Sequence, residues 1–294
     1  MWTAVVFTLV CVSHVAVSQL FRVSEPRWET LKVTWGLRMW EDDYFNELPR
    51  TAEAAERKGY KKIPGPCTSQ NLGYRYVKPG EYATILVFDE NGYIAGLQTA
   101  FPMSKVKKFS GADDEESSIP FESIPMFMED KIGKEKVYTL TAYFVDPGTI
   151  CWSGRTQDEF EAQGTGTALY LQNGTNPIKD SVAVPIYQKE LGRTGWKKGK
   201  CFATIGTHYF YNVRSNMDCN NFFPAFTVYN RGKLTGFGWI VIGRYDFSDR
   251  FEHPMKDTLN SFMNPLPFCV ADSTRDPGIT SMHVYMNTKA WNVL

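Results

Sequence analysis

ILVFDENGYIAGL at residues 85–97 and AFTVYNRGKLTGF at residues 225–237 can be laid over one another without a gap. Each is a β-prone run and a polar turn closed by glycine (Gly92, Gly232). An aliphatic residue follows two positions later, and a second glycine (Gly96, Gly236) four positions later. Asn91-Gly92 is a hairpin dipeptide in which both turn positions need positive φ. Arg231-Gly232 fits a turn that needs it only at the glycine.

Further landmarks recur in the same order, 130 to 142 residues apart. Cys67 ahead of Leu72-Gly73-Tyr74-Arg75-Tyr76 answers Cys201 ahead of Ile205-Gly206-Thr207-His208-Tyr209. Residues 124–130 answer 266–272, and Asp146-Pro147-Gly148 answers Asp276-Pro277-Gly278. The pattern predicts a mainly β fold of two tandem, diverged modules, residues 63–152 and 199–294, forming a pseudo-symmetric barrel or sandwich. Residues 153–198 connect them, and pairing the copies would cover sheet edges. Two separate beads are the alternative.

Residues 19–62 read differently, as a short helical lead. Thr51 is an N-cap for Ala52-Glu53-Ala54-Ala55-Glu56-Arg57-Lys58, and Gly59 ends the run. Upstream, Trp28, Leu31, Trp35 and Met39 recur at helix-like intervals and suggest a packing face, although Val33, Thr34 and Gly36 weaken a continuous helix. At the start, an apolar run from Val5 to Val12 precedes the small-x-small pattern Ala16-Val17-Ser18, so residues 1–18 read as an export signal peptide. The run is too short to span a bilayer. The expectation is a secreted, extracellular protein with no membrane span.

Asn173-Gly174-Thr175 is an N-glycosylation acceptor in keeping with that compartment. After removal of the leader, five cysteines remain: Cys67, Cys151, Cys201, Cys219 and Cys269. At most two intrachain disulfides then form, and the odd thiol is either buried or available for a disulfide-linked dimer.

Lys+Arg and Asp+Glu both total 32. A balanced charge argues against a nucleic-acid partner. The run Asp113-Asp114-Glu115-Glu116, after Lys105, Lys107 and Lys108, reads as a solvated loop rather than a calcium site. Nucleophile-elbow, metalloprotease, phosphate-loop, dinucleotide and C-x-x-C signatures are absent, so the sequence names no cofactor.

Two histidines in strand-like segments of the second copy, His208 and His283, are the candidates for general acid–base work. The first copy carries Arg75 near the place of His208. Met282-His283-x-x-Met286 invites a soft metal, but alternation along a strand sets the methionines on one face and His283 on the other, so no metal site is assigned. His253-Pro254 reads as a solvent-facing turn. Tyr74 with Tyr76, Tyr209 with Tyr211 and Phe237 with Trp239 fall two apart, each pair on one face. That face is either core or the lining of an apolar ligand pocket, with Gly236, Gly238 and Gly243 permitting close approach.

Three functions follow. The first is a secreted binding or extracellular matrix-type protein with an aromatic-lined pocket for a small apolar molecule, a glycan or a protein partner. The alternative is a secreted enzyme of a lineage-restricted family, hydrolytic or oxidative (luciferase-like chemistry included), using His208 and His283. A disulfide-linked structural or venom component is the third.

Overall fold

The computed structural model of the chain describes residues 25–33, 46–67, 70–106, 121–202 and 205–288. The leader, Trp35, Met39 and the acidic run at 113–116 lie outside them. The N-terminal half contains β1 (Lys32–Val33), β2 (Asn46–Glu47), α1 (Ala52–Arg57), β3 (Lys61–Lys62), β4 (Tyr74–Lys78), β5 (Glu81–Phe88), β6 (Ile94–Pro102), β7 (Met128–Ile132) and β8 (Glu135–Tyr143). Then come α2 (Pro147–Ile150), α3 (Gln157–Gln163), β9 (Leu169–Gln172), β10 (Ser181–Val184), β11 (Trp196–Phe202), β12 (Gly206–Tyr211), β13 (Ala225–Asn230), β14 (Lys233–Ile242), α4 (Lys256–Phe262), α5 (Phe268–Ser273) and β15 (Ile279–Tyr285).

α1 forms where the sequence places it. The Thr51 side chain accepts from the Ala54 N–H, Glu53 lies in the first turn and Arg57 in the last, and Gly59 turns the chain out at φ 84°. The expected helical stripe upstream does not form in the described part. Trp28 and Leu31 lie on extended backbone leading into β1, and both are buried. Four further helices, α2 to α5, interrupt segments read as strand or connector. α3 has a full capping box, in which Thr156 and Glu159 bond reciprocally, and it stops at Gly164, φ 64°. α4 and α5 both lie between β14 and β15.

The strands form two antiparallel sheets, in the orders β11-β12-β13-β14-β15-β1-β2 and β10-β9-β8-β6-β5-β4-β3, with β7 added against β8. Neither closes into a barrel among the described residues. β1 and β2, from the lead, extend the second sheet beyond β15, while β9 and β10, from the connector, extend the first. Among the described residues, no helix is long and apolar enough to cross a membrane.

The register gives two matching rows. Arg75, Val87, Gly96 and Tyr143 lie side by side across β4, β5, β6 and β8. His208, Val228, Gly236 and Tyr285 do so across β12, β13, β14 and β15. A bulge follows Val87 in one sheet and Val228 in the other. The ungapped overlay therefore slips by one residue on the leading strand, which moves every side chain there to the opposite face.

The turn explains the slip. Asp89 accepts from the backbone N–H groups of Asn91 and Tyr93, and the Gly92 N–H donates to the Asp89 carbonyl. This opens a longer loop in which Gly92 has positive φ (81°) and Asn91 does not. The second turn is the tight one, with positive φ at both Arg231 (51°) and Gly232 (78°), the reverse of the expectation. The Asp-Pro-Gly tripeptides do not correspond either. Asp146 follows β8, whereas Asp276-Pro277 precedes β15; the tripeptide is a common turn signal and marks no fixed place in a sheet.

One face of each sheet meets the other in a single aromatic-rich core. Phe101 packs on Tyr245 and Phe251 at 5.2 and 5.8 Å between ring centroids, and Phe144 on Phe237 at 6.0 Å. The outer face of the second sheet carries its own core beneath α4 and α5, next to the Cys219–Cys269 disulfide. On the first sheet, Cys67–Cys151 clamps the segment before β4 to the end of α2. In the full chain no described cysteine is a free thiol, and Cys201 too is disulfide-bonded.

Gly96 and Gly236 are needed because the neighbouring tyrosine ring and backbone lie over them. A β-carbon there would come within 2.5 Å of the Ala142 carbonyl oxygen and 2.7 Å of that of Val284. Gly96→Ala and Gly236→Ala should each destabilise the fold by about 2–3 kcal/mol, since backbone cannot yield as a side chain does. Urea denaturation checks this, with Gly192→Ala as a comparison at a site that likewise lacks positive φ but has open space.

Candidate functional site

Alternation along β12 and β15 decides where the histidines point. Tyr209 on β12, and Met282 and Val284 on β15, join the core between the sheets, so His208 and His283 turn outward, under α4. β14 contributes Gly236 and Gly238 opposite Tyr285 and His283, leaving no side chain between the two histidines on that strand. Each imidazole therefore leans across the sheet, and the two Nε2 atoms stand 3.4 Å apart with ring planes at 90°.

His283 Nδ1 lies 3.1 and 3.0 Å from the two carboxylate oxygens of Glu252, whose backbone bridges to Ser281. The Glu252 carboxylate accepts, so His283 donates through Nδ1. Its Nε2 faces that of His208, and the two imidazoles share the hydrogen bond between them. The result is a continuous carboxylate–imidazole–imidazole chain.

The chain is closed to solvent. His208 is 1% exposed and His283 4%. Phe262 of α4 stacks on His208 at 5.1 Å, Phe226 lies 4.8 Å from His283, and Tyr285 stacks on His283 at 5.8 Å. Burial, reinforced by the adjacent His283, pushes the His208 imidazole down to about 3, so it is neutral at ordinary pH. The arrangement can pass or store a proton, but general acid–base work on a substrate needs α4 to lift away.

The matching place on the first sheet is also polar. Arg75 donates to Gln98 at 3.0 Å and pairs with Asp130; Gln98 donates to Asn71 (3.2 Å) and Thr141 (2.9 Å). Register sets Thr141 two residues before Tyr143, as His283 stands two before Tyr285. The cluster is satisfied by hydrogen bonds and holds no histidine.

The six aromatic candidates all pack on the inter-sheet core. Tyr76, Tyr209, Phe237 and Trp239 are buried there, and Tyr74 and Tyr211 are partly buried against it. Tyr76 meets Phe88 at 5.2 Å, Tyr209 meets Tyr229 at 5.2 Å, and Phe237 meets Trp239 at 5.4 Å. His253 is not a solvent-facing turn residue: Nε2 reaches Asp246 at 2.9 Å and Nδ1 faces the Ile279 carbonyl at 3.2 Å. Asn173 is half-buried in the loop between β9 and β10.

Open space lies elsewhere. A cavity of about 320 Å³ is lined by Arg27, Trp28, Glu29, Arg50, Phe160, Gln163 and neighbouring residues of α3. Thr165 ties its floor together, its N–H donating to the Trp28 carbonyl and its hydroxyl to the Thr30 carbonyl, both at 2.7 Å. The Trp28 indole N–H is already committed to the Leu234 carbonyl at 2.7 Å. Next to the cavity, Arg155 is buried against Asp89, at 3.6 Å, and donates to the carbonyls of Gly164 and Ile94.

No known protein family, curated protein or solved structure matches this chain. Among the described residues, no group of three or more His, Cys, Asp or Glu side chains is arranged to hold a metal ion.

Sequence reasoning missed Glu252, Arg50, Asp89–Arg155 and Phe160. The Thr156-x-x-Glu159 box was the available signal for α3, and hence for the cavity. Nothing local marks Glu252 as the partner of His283.

His208 yields a pH prediction. Its folded pKa lies below the unfolded value near 6.5, so the unfolded chain binds more protons between about pH 6.5 and 3. Stability should be fully present above that window and fall with acidification by up to about tenfold in the folding constant per pH unit. His208→Gln retains a hydrogen-bonding group beside His283 but cannot titrate; urea midpoints from pH 7 to 4.5 should fall less steeply in that variant than in the parent.

Proposed function

We propose that this chain is an exported binding protein whose small ligand occupies the cavity between residues 27–29, Arg50 and α3. The observation that carries the reading is the contrast between that cavity of about 320 Å³ and the closed state of the other candidates. A volume at the lower end of the roughly 300–1,000 Å³ usual for small-molecule sites suits a compact ligand. The aromatic rows first considered as a lining are filled by one another, and the histidine chain lies under Phe262.

The fold itself we read as two diverged copies of one sheet. The support is the shared strand order, the matching Arg/His-Val-Gly-Tyr rows, the bulge after the valine in each, and positive φ at both Gly73 (88°) and Gly206 (129°). Export is supported by the apolar start with its small-x-small site and by the disulfides Cys67–Cys151 and Cys219–Cys269, a bond type that persists in oxidising compartments. A glycan at Asn173 belongs to the same reading. Expression through a secretory pathway should give a product beginning at Gln19, and Asn173→Gln should remove one glycan's mass; an unprocessed, unglycosylated chain would sink both points.

A second reading, an enzyme using His208 and His283, draws on their chain with Glu252. A single experiment separates the two. Protein NMR with a fragment library should give shifts gathered on the Trp28 indole N–H and Phe160. Shifts gathered on the His208 and His283 imidazoles instead would overturn the binding-cavity reading in favour of the enzyme.

A further inference from the structure

Arg50 is a cation set in the wall of this cavity. Its side chain is half-buried in the cavity wall, directly before α1, and its backbone carbonyl is fixed by the Ile94 N–H at 2.9 Å. The guanidinium lies over the Phe160 ring, 5.3 Å from its centroid. Among the described residues it makes no hydrogen bond and no ion pair. Burial lowers its affinity for the proton, and Glu47 and Glu29 oppose this only from longer range.

A guanidinium has five donors in a rigid fork. Those of Arg155, over the same Phe160 ring, are largely engaged: its two Nη atoms donate to backbone carbonyls and its Nε lies 3.6 Å from Asp89. Those of Arg50 are not. The two carboxylates of the cavity rim are already engaged: Glu29 with Arg27 at 3.6 Å and the Thr288 hydroxyl at 2.9 Å, and Glu161 with the Gln157 amide at 2.8 Å. The wall thus offers a partly desolvated cation with unused donors beside the Phe160 ring, in a cavity that Trp28 also lines.

Resting on the reading of this cavity as the binding site, we propose that it takes a small organic carboxylate with a flat apolar body, the carboxylate on the Arg50 guanidinium and the body against Phe160 and Trp28. A planar carboxylate matches the fork with two parallel hydrogen bonds, and charge-assisted bonds of this kind are about twice as strong as neutral ones. The ligand would satisfy Arg50 without displacing any bond now present. Phe160 is held ready by Tyr93, stacked on it at 4.6 Å and 18° between planes.

Isothermal titration of the full chain with phenylacetate, its uncharged isostere phenylacetamide and inorganic phosphate tests this. Phenylacetate should bind at least tenfold more tightly than either of the others. Arg50→Gln should remove at least tenfold of phenylacetate affinity, leave phenylacetamide unchanged and melt with the parent; Arg50→Lys should fall between. Equal binding of phenylacetate and phenylacetamide, or an unaltered Arg50→Gln, would overturn the carboxylate assignment while leaving the cavity as a binding site. Phosphate binding as tight as phenylacetate would overturn the role of the flat body. Silence from all three probes, with no fragment shifting Trp28 or Phe160 in the NMR experiment, would remove the cavity reading together with this one.

Discussion

Both faces of the central strands of each sheet are buried, and the rest of the molecule is arranged around that constraint. Antiparallel sheets commonly expose one face. Here every residue of β6 and of β15 is buried. The inner faces meet in the shared aromatic core. The outer faces must find other cover, and they do so differently: α4, α5 and Cys219–Cys269 over the second sheet, and β7, α2 and Cys67–Cys151 against the first. Short helices and disulfides are therefore the lids that let an eight-stranded and a seven-stranded sheet bury both surfaces of their central strands.

Double burial sets the chemistry of the polar groups that remain. Polar side chains on an outer face lose water and must pair with one another. On the first sheet they form the Arg75–Gln98–Thr141 cluster with Asp130, and on the second the Glu252–His283–His208 chain. The two occupy matching places but differ in consequence. On the first sheet a carboxylate stands against the guanidinium. On the second, burial first and the facing imidazole second keep His208 neutral.

The cavity arises where the lead crosses from one sheet to the other. Residues 28–33 leave α3 behind and run to the edge of the second sheet, pinned by Thr165 on one side and by Trp28 to Leu234 on the other. Two elements held at a fixed separation by backbone bonds leave room between them that no core side chain fills. Arg50 is left in that wall with its donors free of described partners, so the space has a chemical preference as well as a size.

Much of the β content, the α1 helix and its caps, the strand placement of His208 and His283, and the opposite faces of His283 and Met282 were legible in sequence, because they follow from local propensity and the two-residue repeat of a strand. Three kinds of feature were not. The turn at Asp89 gained one residue through a side chain bonding its own loop, and that shifted a whole strand by one place. α4 and α5 follow segments with no capping signal, their N-caps making no side-chain bond, so they are helices by packing rather than by propensity. The pairing of Glu252 with His283, the burial of the aromatic rows and the isolation of Arg50 all depend on which faces meet across tens to hundreds of residues of chain. Period and propensity are carried by neighbours in sequence; burial and partnership are set only when distant strands share a register.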